Sequence, residues 1–295
     1  MAAPAQAILK RQRQKNVIGL LLTPIVLYLL LRFFEYAQVY HPRTELIAEP
    51  ESIHPAPEKI FLSSGGSYRI NAWFFPALTS SEWSDWVVLV SHGNGGNISY
   101  RLPLYELWLE AGFNVMAYDY RGYGLSSGRP SEKGTYEDAE QALIWLQEKG
   151  FAPSRTISLG ESLGGAIATE MATRHPLAGL VLQSTFTRIV DIGKELFPWL
   201  PVETLSAIRY DTVSKLPELA VPVLILHSRE DGLIPFHHAE RNFEGCHAPK
   251  LLGELEGDHN NGVNQSLTLY AQHIADFKKL LRPEASITDS SPPKE

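Results

Sequence analysis

The sequence predicts an α/β chain: a largely parallel central sheet covered by helices on both faces, preceded by one apolar N-terminal helix. Three observations predict it. Between residues 60 and 282 short β-branched runs alternate with helical patterns, polar glycine-bearing motifs follow several of the runs, and an 18-residue apolar stretch stands apart near the N-terminus. Such alternation buries parallel strands between helices and places reactive residues in loops at the carboxyl ends of the strands. With 295 residues, 44% of them hydrophobic and 20% charged, the chain can bury one sizeable core. Its net charge of −7 and the absence of a basic patch interleaved with aromatics argue against nucleic acid as a partner. The lone Cys246 precludes an internal disulfide and reads as a small buried hydrophobe.

Residues 1–16 form a basic tail carrying Lys10, Arg11, Arg13 and Lys15, and residues 17–34, VIGLLLTPIVLYLLLRFF, follow as a transmembrane anchor. About 20 apolar residues cross about 30 Å of hydrocarbon. The basic flank favours a single pass with the N-terminus cytoplasmic and the following domain outside the cytoplasm. Phe33, Phe34, Tyr36 and Tyr40 would form an interfacial belt. A cleaved signal peptide and a core or interfacial helix are the alternatives; Glu35, two residues before Ala37, spoils a small-x-small cleavage site. Residues 35–59 contain Pro42, Pro50, Pro55 and Pro57 and read as an extended linker or edge segment. The domain spans 60–282, and the polar, proline-rich 283–295 reads as a disordered tail.

Within the domain the predicted strands are 68–75, 86–92, 114–120, 155–159, 178–184, 222–228 and 250–255, those from 86 onward internal. Helical patterns cover 100–110, 135–148, 162–174, 236–244 and 263–281. The stretch 185–219 breaks the rhythm with Phe186, Leu196, Phe197, Trp199 and Leu200 and reads as an insertion.

The pattern Gly-x-Ser-x-Gly occurs twice, around Ser162 and around Ser126. Only Ser162 lies between a strand and a helix, where a tight corner demands residues without a Cβ on either side. Ser126 follows the polar run DYRGYG and precedes Arg129-Pro130, which marks a turn.

SHGNGGN, YDYRGYGLSSG, GESLGG, SREDGLIP and GDHN, in this order over about residues 60–282, resemble the α/β-hydrolases, in particular membrane-anchored lysophospholipase-like and serine aminopeptidase-like members. The resemblance implies the α/β-hydrolase fold and a serine hydrolase that works without cofactor or metal. Serine is a poor nucleophile at neutral pH and needs a base, itself oriented by an acid. The hydrolase order Ser, Asp or Glu, His implies Ser162 as nucleophile, Asp231 as acid and His259, in the loop EGDHNNG, as base. Glu230 and Asp258 flank the acid and the base as competitors, while Asp119 precedes the nucleophile and fits the order poorly. The oxyanion hole would use the N–H of Leu163 and that of Gly93 or Asn94, with Asn94 favoured. His92 then orients the loop. His237 and His238 open a helix, where adjacent rings diverge, and read as helix surface rather than as a metal pair.

In this fold an insertion at 185–219 usually caps the site; its apolar residues could receive an acyl chain or simply pack on the domain. The expected activity is cleavage of a small carboxylic ester or thioester, lipid-derived substrates included, through an acyl-enzyme. A peptidase or amidase of the same fold and a noncatalytic binding module are the alternatives.

Overall fold

The β-branched runs form one eight-stranded sheet in the computed structural model, which describes residues 3–282. In chain order the elements begin α1 (Ala3–Val39), β1 (His41–Pro42), β2 (Glu58–Ser64), β3 (Tyr68–Phe75), β4 (Val87–Ser91), β5 (Gly95–Gly96), α2 (Leu102–Glu110), β6 (Asn114–Tyr118) and α3 (Glu132–Glu148). They continue β7 (Thr156–Glu161), α4 (Leu163–Arg174), β8 (Gly179–Gln183), α5 (Ile189–Leu196), α6 (Val202–Leu205), β9 (Val223–Ser228), α7 (His237–Gly245), β10 (Lys250–Leu255), α8 (Gly262–Gln265) and α9 (Leu267–Leu281). The sheet order is β10-β9-β8-β7-β4-β6-β3-β2, and every pair from β10 to β6 is parallel. One apolar core, with Leu143, Ala166, Ile167 and Met171, lies under α3 and α4. The other, with Tyr105, Trp108, Ile274 and Phe277, lies under α2 and α9 on the opposite face. Strands β4, β6, β8 and β9 are buried throughout, as expected for parallel strands covered on both faces.

Two sheet features and one helix differ from the sequence expectation. Strand β10 is an edge, not internal; its first half is only half-buried because no strand lies beyond it. Strand β2 went unrecognised because it is the other edge and exposes Glu58, Lys59 and Phe61, so it lacks a buried run. The C-terminal helical pattern is interrupted at Ser266, which separates α8 from α9. The insertion 185–219 carries the short helices α5 and α6.

Helix α1 runs unbroken through both the basic stretch and the apolar one. Its segment Gly19–Val39 has a mean hydropathy of 1.7 and is long and apolar enough to cross a bilayer. Leu20 is 77% and Phe33 71% exposed, so this is not the core helix of a soluble domain. Its last turns dock on the insertion. The Phe34 ring meets Phe197 at 5.5 Å, and Glu35 Oε1 accepts from the N–H of Ala207 (2.8 Å) and Ile208 (3.0 Å) and from the Ser206 hydroxyl. Tyr40 does not join an interfacial belt: it is buried, its hydroxyl 3.1 Å from that of Tyr210.

The proline-bearing stretch after α1 is stitched to the domain rather than hanging free. Strand β1 pairs in parallel with β5, through His41 N–H to Asn94 O (3.1 Å) and Arg43 N–H to Gly96 O (3.2 Å). The Arg43 carbonyl accepts from Gly124 N–H (2.9 Å) and from Asn97 Nδ2 (3.0 Å). Residues 283–295, expected as a disordered tail, lie outside the described residues.

Candidate active site

Strand β7 ends at Glu161 and α4 begins at Leu163, so the chain must reverse direction within Ser162. It does so at φ 51° and ψ −116°, a region that non-glycine residues rarely adopt. The flanking glycines allow the corner. A Cβ on Gly160 would sit 2.2 Å from the Gly164 carbonyl oxygen, and one on Gly164 would sit 2.0 Å from the Ser91 carbonyl oxygen. The corner is pinned by Ser162 N–H to Gln183 O (2.8 Å) and by the Thr185 hydroxyl to Ser162 O (2.6 Å). The second match to the pattern is different in kind. Ser126 Oγ accepts from Asn71 N–H (2.8 Å) and donates to Asp119 O (3.1 Å), which ties a buried turn together.

The loops after β9 and β10 bring Asp231 and His259 to Ser162. His259 Nε2 lies 3.1 Å from Ser162 Oγ, and its Nδ1 lies 2.7 Å from Asp231 Oδ2. The carboxylate can only accept, so Nδ1 carries the proton and the Nε2 lone pair faces the serine hydroxyl. Asp231 is held by its other oxygen, which accepts from Leu233 N–H (3.0 Å) and Ile234 N–H (2.8 Å). Burial pushes its acidity the other way, but hydrogen bonding to His227 and His259 outweighs it and keeps Asp231 well below the usual carboxylate range. Of the competing carboxylates, Glu230 is exposed and Asp258 Oδ1 accepts from Gly232 N–H (3.1 Å) and His259 N–H (2.7 Å). Asp258 thus shapes the loop without touching the imidazole hydrogen bonds.

Asp119 is fully buried beneath the glycine-rich loop, where its carboxylate accepts from Asn71 Nδ2 (2.9 Å) and Ile98 N–H (2.8 Å). Burial raises its pKa to about 6. His92 is equally buried, with Nδ1 donating to Gly93 O at 2.7 Å and its ring against Tyr120 at 4.2 Å. Burial, and then the Arg101 charge, push its pKa down to about 3, so it is a neutral brace for the loop. Gly93 and Asn94 line the cavity beside Ser162; a Cβ on Gly93 would already stand 3.4 Å from the serine Cβ. Asn94 O accepts from His41 N–H (3.1 Å) and the Tyr123 hydroxyl (2.9 Å). Leu163 is the first residue of α4, where a backbone N–H has no intrahelical acceptor.

The cavity holds about 410 Å³ and has a mixed lining, with Leu104 and Val263 beside Gln183, Ser184, Asn260 and Asn264. Sequence reasoning missed these, because amides in loops carry no spacing signal. It also missed Arg101, whose Nε and Nη2 reach the two Glu161 oxygens at 2.9 and 3.2 Å across the cavity wall. No residue of 185–219 lines this cavity. The insertion instead forms an apolar groove with α1, lined by Leu31, Phe34, Ile192, Leu196, Phe197 and Val202 among others. The cap expected over the site is therefore a partner of the N-terminal helix, and its apolar residues are used there.

His237 and His238 also depart from expectation. Their rings lie 4.4 Å apart at 31° rather than diverging, and His238 is fully buried rather than on a helix surface. His237 Nε2 is hydrogen-bonded to Glu195 Oε1 at 3.0 Å, and His238 Nε2 lies 3.3 Å from the same oxygen without a hydrogen bond. Cys246 is buried and unpaired, as expected of a small hydrophobe.

The comparisons with known proteins agree with this architecture. Residues 83–206 match the family model described as serine aminopeptidase, S33. An uncharacterized Mycobacterium tuberculosis protein is 34% identical over 224 residues, 76% of this chain and 79% of its own length. Alpha/beta hydrolase domain-containing protein 17B of Xenopus laevis is 32% identical over 218 residues, 73% of this chain and 72% of its own. Among solved structures, the Pyrococcus furiosus esterase Pf2001 superposes with a TM-score of 0.66 at 19% identity, covering 82% of this chain and 97% of that one. With the serine corner, the parallel sheet and relatives matched over most of their length, this chain belongs to the α/β-hydrolase superfamily and is a hydrolase of that fold.

Proposed function

We propose that the protein is a membrane-anchored serine esterase acting on small, polar carboxylic esters or thioesters through an acyl-enzyme. The observation that carries the reading is the pair of hydrogen bonds from Asp231 through His259 to Ser162 at a positive-φ corner. Ser162 Oγ attacks the acyl carbon while His259 Nε2 takes its proton, and Asp231 stabilises the imidazolium that forms. The same proton is then delivered to the departing alkoxide or thiolate, and a water activated by His259 releases the acid. The N–H groups of Leu163 and of Asn94, with Gly93 as the neighbouring donor, receive the negative oxygen of the tetrahedral intermediate. No cofactor or metal enters this scheme.

An aminopeptidase reading would need a free carboxylate for the substrate ammonium. The carboxylate among the cavity-lining residues is Glu161, which Arg101 already neutralises, and this favours an ester. Residues 17–34 serve as the anchor, with the basic N-terminus cytoplasmic and the domain on the far side. Labelling with a fluorophosphonate tests the chemistry. Ser162→Ala should abolish it and Ser126→Ala should leave it; label retained on the Ser162→Ala protein would overturn the assignment.

A further inference from the structure

Away from the serine, Glu195 at the end of α5 faces His237 and His238 at the start of α7. Glu195 Oε1 stands 3.0 Å from His237 Nε2 and 3.3 Å from His238 Nε2, and the donor atoms all lie within 4.8 Å of one another. Ligands at about 2.0–2.1 Å around a tetrahedral ion are separated by about 3.3 Å, so the two carboxylate–imidazole distances already match the spacing one shared ion imposes. His238 is fully buried, yet its Nε2 makes no hydrogen bond, because Glu195 lies in range but out of line. A buried nitrogen left unpartnered beside a carboxylate is costly unless something accepts its lone pair or its proton.

The surroundings fit a metal ligand. His238 Nδ1 lies 2.9 Å from Thr187 Oγ1, and the Thr187 hydroxyl donates to Asp191 Oδ2 at 2.9 Å. That chain places the ring proton on Nδ1 and leaves the Nε2 lone pair free toward Glu195, the relay by which proteins commonly orient ligating imidazoles. The Thr187 N–H also reaches Nδ1, at 3.2 Å, and competes for it in the other tautomer; ion binding at Nε2 selects the first. The side chains of His237 and Glu195 are 44% and 37% exposed, so an ion and a completing water can enter from solvent. Two imidazoles and one carboxylate suit a borderline divalent ion of the zinc class rather than magnesium or calcium.

We propose that Glu195, His237 and His238 form a zinc-class metal site that clamps the α5 insertion to α7, independently of the serine chemistry.

The test uses the untagged full-length protein in detergent, stripped with a chelator and titrated with Zn²⁺ by calorimetry and with Co²⁺ by its visible d–d absorption. One equivalent should bind, and excess Zn²⁺ should raise Tm by on the order of 5 °C. Glu195→Gln and His237→Asn, both at exposed positions that tolerate change, should each weaken binding at least tenfold and remove the Tm rise. His259→Ala should leave both intact, which separates this site from the imidazole beside Ser162. Absence of stoichiometric binding, or binding that survives Glu195→Gln and His237→Asn together, would overturn the proposal; neither result bears on the esterase reading.

Discussion

The cavity beside Ser162 and the groove between α1 and the insertion are built from different materials. The first mixes amides, hydroxyls and the Arg101–Glu161 pair with a few apolar side chains; the second is walled mainly by leucine, isoleucine, valine and phenylalanine, and no residue lines both. Apolar residues in an insertion of this fold invite an acyl-pocket reading, but here they answer to a different demand. A helix with apolar side chains all round must meet either lipid or protein, and the end of α1 meets the insertion. The comparison separates chemistry from attachment and says which substitutions should disturb each.

The largest effect belongs to the cavity side. Asp231→Asn keeps the shape of the side chain but lets the imidazole take the wrong tautomer, and should lower kcat on a soluble ester by about 10³–10⁴ with the fold intact by circular dichroism. Glu230→Gln, one residue away and exposed, should cost less than about tenfold. The reverse ranking would move the acid by one position. On the groove side, Phe197→Ala removes the edge contact with Phe34 and should lower stability by about 1–2 kcal/mol, read as a Tm drop of several degrees. Its kcat/KM for a soluble ester should stay within about twofold of the parent; a larger change would mean the groove communicates with the cavity. Only a weak dependence is expected on the length of the acyl chain. Activity on p-nitrophenyl esters should change less than about tenfold beyond butyrate, whereas a sustained gain approaching ~0.8 kcal/mol per methylene would show that an apolar channel reaches Ser162 after all.

The parts of this molecule legible in the sequence are those encoded locally or by order along the chain. The Ser162 corner needs glycine at 160 and 164 because backbone approaches there, and glycine is visible in a sequence. Asp231 and His259 were legible because each follows a strand that its own residues announce. What was not legible depends on partners far away in the chain. The Arg101–Glu161 pair spans 60 residues and the Tyr40–Tyr210 contact 170, so neither leaves a periodic trace. His238 looked like a surface residue on α7 because nothing near it in sequence reveals that Thr187 and Glu195 close over it. The edge strands were misjudged for a related reason: whether a strand has a second neighbour is a property of the sheet, not of the strand.

The two-residue ladder between β1 and β5 ties the end of α1 to the loop that carries Asn94. Both backbone bonds of that ladder, and the His41 Nδ1 contact with Asn94 Nδ2 at 3.3 Å, come from residues 41–43. A protease that cut just beyond residue 43 would therefore release the domain without the strand that edges the Asn94 loop. Cutting instead at or before residue 38 leaves the ladder whole, because the strand and the buried Tyr40 travel with the domain. Attachment to the helix and the shape of the cavity beside Ser162 are in this sense one mechanical assembly, and a shortened chain that keeps the ladder has its latest safe starting point inside the helix rather than after it.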